Sequence, residues 1–362
     1  MIRILLVLSL LFVPAGAEAA GLIQMGQTFP EVPLPTPVDP AERAYLGLPD
    51  KPAFTLSEVD GTVVLVEILN VLCPHCQRQT GPYNDLFRRL RDNPPAAGRI
   101  RMLGVAVGNS EAQIEDFVTV YGVLFPVVRD SGFRLHRAIG GSRTPFSIYV
   151  RQDPAGGPGI VAGTHLGEDP AMDDLYAYLA DVAAMTPEDF RGLAGEGEAP
   201  EVVIKPVLSP EQLQQRARQA FAGLGSAVRD FHGIDLPGER RVFTATVERE
   251  GQSRRYFAEA VARASICDVC HDVHFIYVFD QRGEIVAFEP VHLTKYGNER
   301  WNAAEVEAMR RRVVGQYLTA PPPFDPTVDA VTRATMTSAI IFDQLARGEE
   351  LMEKLRGKGL LK

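Results

Sequence analysis

The chain has 362 residues, of which 46% are hydrophobic and 23% charged, and its formal net charge is −9. That length fits two domains better than one. The acidic balance excludes nucleic acid and an anionic membrane surface as partners, because both require clustered Lys and Arg.

At the N-terminus, Arg3 precedes an apolar run from Ile4 to Val13, then Pro14 and small residues, and Ala17-x-Ala19 fits signal-peptide cleavage after Ala19. The run is too short to cross a bilayer, and no Cys follows the cleavage site to carry a lipid. Residues 1–19 are therefore expected to direct export to the periplasm, with no membrane span after cleavage. That compartment is oxidising.

The first domain is expected over residues 22–185. Val63 to Leu69 is a continuous aliphatic run, the pattern of a strand buried on both faces. It ends at Cys73-Pro-His-Cys76, and a helical pattern carrying Leu86 and Leu90 follows. Further strands are expected at "IRMLGVAVG", "FPVVRD" and "TPFSIYV", with a helix from Ser110 through "SEAQIEDFVTVYG". Strands alternating with helices predict a mostly parallel sheet with crossover helices.

All four cysteines lie in two C-x-x-C pairs, Cys73/Cys76 and Cys267/Cys270. A disulfide framework would close long loops, whereas tight pairs suit redox chemistry, haem attachment or metal binding. Cys73 falls where a strand meets a helix N-terminus, whose free N–H groups and dipole stabilise a thiolate. Cys76, one turn later, can attack a mixed disulfide and resolve it. His75 between them adds a candidate positive charge that favours the reduced form.

"VEILNVLCPHC" resembles the active-site segment of thioredoxin-like proteins. The resemblance covers roughly residues 24 to 185 and implies an α/β thioredoxin fold, here of the extracytoplasmic thioredoxin/peroxiredoxin-like branch, because "LGVAVGNSEAQIEDFVTVYGVLFPVVRD" adds a helix and a strand. It implies that Glu67 is the buried acid serving Cys76 as proton acceptor, that Thr144-Pro145 is the cis-proline presenting backbone to a substrate segment, and that Pro82 kinks the active-site helix. The departure is Val71-Leu72, where the family carries aromatic residues.

Residues 186–208, rich in Gly, Pro and Glu, read as a linker. Ser209-Pro210 then opens a helix. A smaller α+β domain is expected over 209–345, with strand pairs turning at Gly251 and at Gln281-Arg282-Gly283, and a helical tail over 346–362.

Within it, "FDPTVDAVTRATMTSAIIFDQL" resembles the signature of FMN-binding domains of periplasmic electron-transfer subunits. Asp329, Thr332, Ala334, Thr335, Thr337 and Ser338 match, and Arg333 stands where that pattern has Gly. The resemblance implies FMN held through its phosphate at Thr335, with Thr332, Arg333 and Ser338 around it. A Thr-rich turn entering a helix also suits a phosphate on general grounds.

Cys267, Cys270 and His271 spell C-x-x-C-H, and three chemistries stay open. Haem c would use both cysteines and His271, with His274, His292 or Met309 as sixth ligand. The strand-like "VHFIYVFD" follows at once, however, where a haem module would be helical. A Cys₂His₂ metal site would need adjacent ligands 270 and 271 on one tetrahedron, which strains it, so no metal is expected. A second redox dithiol needs only docking against Cys73/Cys76. His292, Lys295 and Tyr296 are further candidates for lining a site.

The reading is a periplasmic thiol–disulfide oxidoreductase whose catalytic residues are Cys73, Cys76, Glu67, His75, Thr144 and Pro145, with a second redox centre at Cys267/Cys270. Its partners are protein dithiols or disulfides, or a membrane electron-transfer complex. No cofactor is required, FMN and haem c being the candidates. The alternative is a haem- or FMN-carrying electron-transfer protein in which the first domain serves docking or assembly.

Overall fold

A computed structural model describes residues 21–96, 99–193, 204–236, 240–249, 251–266, 271–295, 297–332 and 334–361. The leader, Cys267, Cys270, Tyr296 and Arg333 lie outside the described residues.

The first half opens with β1 (Leu34–Pro35), α1 (Pro40–Leu46) and β2 (Ala53–Phe54), β1 and β2 forming a small pair. It continues with β3 (Val63–Leu69), α2 (Pro74–Asp92), β4 (Ile100–Val107), α3 (Glu111–Tyr121), β5 (Val127–Asp130), α4 (Arg134–Ala138), β6 (Phe146–Arg151), β7 (Ile160–Leu166), α5 (Met172–Ala184) and α6 (Pro187–Arg191). Its main sheet has the order β5-β4-β3-β6-β7. The expectation of a mostly parallel sheet needs correction. Strand β3 pairs in parallel with β4, and β4 with β5, but β3/β6 and β6/β7 are antiparallel. The reason is that β6 and β7 are joined by a short turn-rich connection with no crossover helix.

Every residue of β3 is buried, as expected of a central strand. Its side chains alternate: Val63, Leu65 and Leu69 pack with Leu86 of α2, Phe117 of α3 and Leu179 of α5, whereas Val64, Val66 and Ile68 face a second cluster. Local chemistry fixes the helix ends. Ser110 and Gln113 form a capping box at the start of α3, and Gly122 closes it in the left-handed conformation. Helix α6, within the stretch read as linker, starts at a Thr186/Asp189 capping box and buries Phe190 in the first domain's core.

The second half contains α7 (Pro210–Ala222), β8 (Ala227–Ile234), β9 (Arg241–Arg249), β10 (Gln252–Arg263), β11 (Val273–Asp280), β12 (Ile285–His292), the short pair β13 (Thr294–Lys295) and β14 (Glu299–Arg300), then α8 (Ala303–Val313), α9 (Thr335–Ala346) and α10 (Gly348–Gly357). Strands β8 to β12 form an antiparallel meander in sequence order. One face packs on Ala217, Ala220 and Phe221 of α7. The other, through Phe257, Phe275 and Tyr277, joins the cluster that contains Val64, Val66 and Ile68 of β3. The two sheets thus share one continuous apolar core. Among the described residues no helix is long and apolar enough to cross a membrane.

Candidate active site

Strand β3 delivers the chain to Asn70, and a tight turn through Val71 and Leu72 places Cys73 at the N-cap of α2 with Pro74 in its first turn. Proline suits that position because its missing N–H would have no helical partner. Pro82 lies inside the same helix. Cys73 and Cys76 are thiols here and hydrogen-bond each other. Both are buried, each only 1% exposed. Cys76 Sγ accepts from the Asn70 N–H at 3.4 Å. Burial first, then the hydrogen bond to Cys73, holds the Cys76 thiol well above the ordinary thiol range.

Glu67 is enclosed in the middle of β3, in register with Gly104 of β4 and Ser147 of β6. Burial, and next the charge of Cys73, push its carboxyl up to about 8. Its charge in turn raises Cys76. A carboxyl poised near neutrality and electrostatically linked to the buried thiol can exchange a proton with it. Tyr83 Oη lies 2.5 Å from Ser147 Oγ beside this acid.

The Thr144–Pro145 peptide is cis and leads into β6. Cys73 Sγ lies 3.5 Å from the Thr144 carbonyl oxygen. His75, between the two cysteines, reaches across to the loop between β7 and α5. Its Nδ1 is 2.5 Å from Glu168 Oε1, and Arg78 binds the same carboxylate at 2.6 Å. These contacts hold Glu168 below the usual carboxylate range, Arg78 contributing most. The imidazole therefore belongs to an ion-pair cluster at the rim.

The second domain covers this site. Thr144 donates both its N–H, at 2.6 Å, and its Oγ1–H, at 3.1 Å, to the carbonyl of Ile266. Met336, at the start of α9, stands over the Asn70 amide and is the atom set that a methyl on Gly108 would meet. Between the domains lies a small cavity, of about 50 Å³, lined by Asn70, Leu72, Cys73, Ile266, His271 and Thr335, among others. The sequence reading missed Asn70, Ile266 and Met336. Asn70 was findable: it and Asn109 follow two adjacent parallel strands, where α/β sites form. Asn70 Nδ2 donates to Val107 O and Asn109 Oδ1, each at 2.9 Å, fixing the turn before Cys73.

Of the described residues matched to the FMN signature, Ala334, Thr335 and Thr337 line this cavity. Thr337 Oγ1 is spent on Thr294 O at 2.7 Å, Ser338 Oγ accepts from the Val331 N–H inside the core, and Thr332 is exposed. Asp329 is buried against Arg312. Lys295, which lines the cavity, is paired with Glu299 and Glu305. The described residues thus do not build a phosphate cradle. His271 contacts His292 edge-on, with ring centroids 5.2 Å apart, and His274 lies next to His292. Burial lowers the proton affinity of both His274 and His292. Met309, offered as an alternative haem ligand, is buried in the core of α8.

No protein-family model matches the chain. It is 25% identical over 100 residues to the thiol–disulfide oxidoreductase ResA of Halalkalibacterium halodurans, a match covering 28% of this chain. The chain spans about half the length of that curated relative, 54% of it. Among solved structures, a putative thiol:disulfide interchange protein DsbE from Chlorobium tepidum aligns with 45% of this chain and 99% of its own, at 18% identity and TM-score 0.35. StoA from Bacillus subtilis aligns with 33% of this chain and 83% of its own, at 19% identity and TM-score 0.27.

Proposed function

We propose that the protein is a thiol–disulfide oxidoreductase in which Cys73 and Cys76 exchange electrons with Cys267 and Cys270 of its own second domain. The observation that carries this is the double hydrogen bond from Thr144 to Ile266 O. Thr144 is where a thioredoxin-like groove takes the backbone of a substrate segment, and Ile266 is the residue immediately before Cys267. The chain thus brings Ile266, the residue before its second C-x-x-C, to Thr144 beside Cys73.

The exchange balances without any external group. With Cys73 and Cys76 reduced and the second pair oxidised, the Cys73 thiolate attacks the Cys267 sulfur. The Cys267–Cys270 bond breaks and Cys270 leaves as a thiolate that takes up a proton. Cys76 then passes its proton to the Glu67 carboxylate and attacks Cys73. A Cys73–Cys76 disulfide forms and Cys267 is released as a thiol. Two electrons move from the first pair to the second, and the reverse sequence uses the same groups.

An outside dithiol or disulfide, on a soluble protein or a membrane electron-transfer complex, reloads one pair. The leader sequence supports an extracytoplasmic, periplasmic setting. A flavin has no part in this reading: Thr337 and Ser338 spend their hydroxyls on Thr294 O and the Val331 N–H. Haem c on Cys267, Cys270 and His271 is the rival use of the second pair.

The test is a Cys76→Ser/Cys270→Ser double variant, oxidised and mapped by mass spectrometry. An intramolecular Cys73–Cys267 disulfide is expected, from a protein without visible absorbance. A visible band retained after denaturation of the wild-type protein, whose C-x-x-C-H is intact, establishes haem c instead, and absence of the cross-link in the variant of a colourless wild-type protein refutes the relay.

A further inference from the structure

A second cavity, of about 170 Å³, lies behind Ile266 and shares Ser265 and Ile266 with the first. His136 and Ser142 of the first domain line it, facing Arg263 and Arg347 of the second. Three buried polar atoms on these walls have no hydrogen-bond partner: His136 Nδ1, Ser142 Oγ and Arg347 Nε. Both His136 and Ser142 are 5% exposed. Buried polar groups are rarely left unserved, so three on one cavity ask for a ligand.

The chemistry of that ligand follows from the donors. His136 Nε2 sits against both the N–H and the carbonyl of Ser142, at 3.0 and 2.9 Å, which leaves Nδ1 as the ring nitrogen without a partner. Arg347 Nε can only donate, and the Ser142 hydroxyl is able to. No Asp or Glu is among the described lining residues.

Charge points the same way. Arg137, Arg263 and Arg347 all converge on one carboxylate, Asp343, with Arg263 at 2.7 Å and Arg347 at 3.6 Å. Neighbouring acids are engaged elsewhere. Glu259 and Glu350 bind Arg240, Asp272 faces Arg143, and Asp130 accepts the backbone N–H groups of Arg134 and His136. Three guanidinium groups on one carboxylate leave buried positive charge that an anion would neutralise. The remaining walls, Phe133, Ile204, Ile266 and Ile340, are apolar.

We propose that this cavity binds a small organic oxyanion, a carboxylate or phosphate with an apolar body, held jointly by His136 and Ser142 of one domain and Arg263 and Arg347 of the other. Because the ligand bridges the domains, it stabilises their closed arrangement by mass action.

The probes are inorganic phosphate and benzoate, titrated calorimetrically into the full-length reduced protein, with thermal unfolding followed in parallel. Saturable one-to-one binding of at least one probe is expected, with a raised Tm. Phosphate alone points to a phosphorylated ligand, benzoate alone to a carboxylate. Ser142→Ala disturbs no side-chain hydrogen bond of the fold, and it is expected to weaken binding about tenfold, the effect of losing one hydrogen bond to a charged group. Arg347→Met is expected to weaken it further. Failure of both probes to saturate the wild-type protein, the donors then being served by water, overturns the proposal. So does wild-type affinity in a folded Ser142→Ala protein.

Discussion

Glu67→Gln separates a proton acceptor from a merely buried carboxyl. The native carboxyl sits at about 8 against an ordinary 4.5, chiefly through burial. Below pH ~4.5 it is protonated in folded and unfolded chains alike, and its burial costs nothing that depends on pH. As pH rises from there, the unfolded chain ionises while the folded one does not. The native state therefore loses about 1.4 kcal/mol per pH unit until its own carboxyl ionises near 8. The accumulated loss is about 5 kcal/mol, an upper-range figure for a site that water can partly relax. Gln cannot ionise, so the variant gains on the wild type by a margin near zero at pH ~4.5 that grows to that size at pH ~8 and is flat above. Denaturant unfolding of both proteins under reducing conditions, at half-unit pH intervals, reads this directly. Disulfide exchange measured on the same samples is expected to fall about a hundredfold in the variant, the scale of a lost general base. A stability difference that does not change with pH, or an unchanged exchange rate, would refute the assignment.

Three further outcomes test the cover over the site. Asp343→Asn, at the convergence of Arg137, Arg263 and Arg347, is expected to cost about 3–5 kcal/mol in a urea titration, as breaking buried pairs does; a loss within experimental error would mean the arginines are served by solvent. Gly108 has φ +69°, and a methyl there would meet Phe133 Cζ at 2.9 Å and Met336 Cε at 3.1 Å, so Gly108→Ala is expected to lower stability by about 1–3 kcal/mol, with a neutral result showing that α9 does not press on the active-site loop. Met336→Ala is expected to speed alkylation of Cys73 by iodoacetamide in the reduced native protein; a rate equal to wild type would show that Met336 does not control access.

The catalytic turn was legible because it uses local signals. A fully apolar run can only be a strand buried on two faces, Pro74 can only enter a helix at its start, and an acid inside that run at Glu67 has no structural use. The parallel bias was misread because alternation of strand and helix says nothing about a β6/β7 turn that returns directly. The ion pair of His75 was hidden for a related reason. Its partner Glu168 is 93 residues away, and sequence adjacency to two cysteines weighs more in a one-dimensional reading than a distant carboxylate. The Thr-rich turn shows the limit of motif matching: Ser338 and Thr337 fit the pattern but point their hydroxyls at Val331 and Thr294.

The burial of Cys73 bears on which disulfide it can meet. A nucleophile that serves diffusing proteins must be reachable, yet this sulfur is 1% exposed and its peptide-binding edge at Thr144 is occupied by Ile266. Admitting an outside segment would mean breaking that double hydrogen bond and displacing Met336 and the Asp343 ion pairs. A tethered partner avoids this cost and acts at an effective concentration of about millimolar or higher. External disulfides in the micromolar range would therefore lose the competition for Cys73 by a wide margin. In the proposed relay the pair that trades with the outside is the second one, and external exchange should be abolished by removing Cys267 and Cys270 even with Cys73 and Cys76 intact. If a Cys267→Ser/Cys270→Ser protein still reduced an external protein disulfide at the wild-type rate, the second domain would be a removable lid over an ordinary active site and the internal relay would have to be given up.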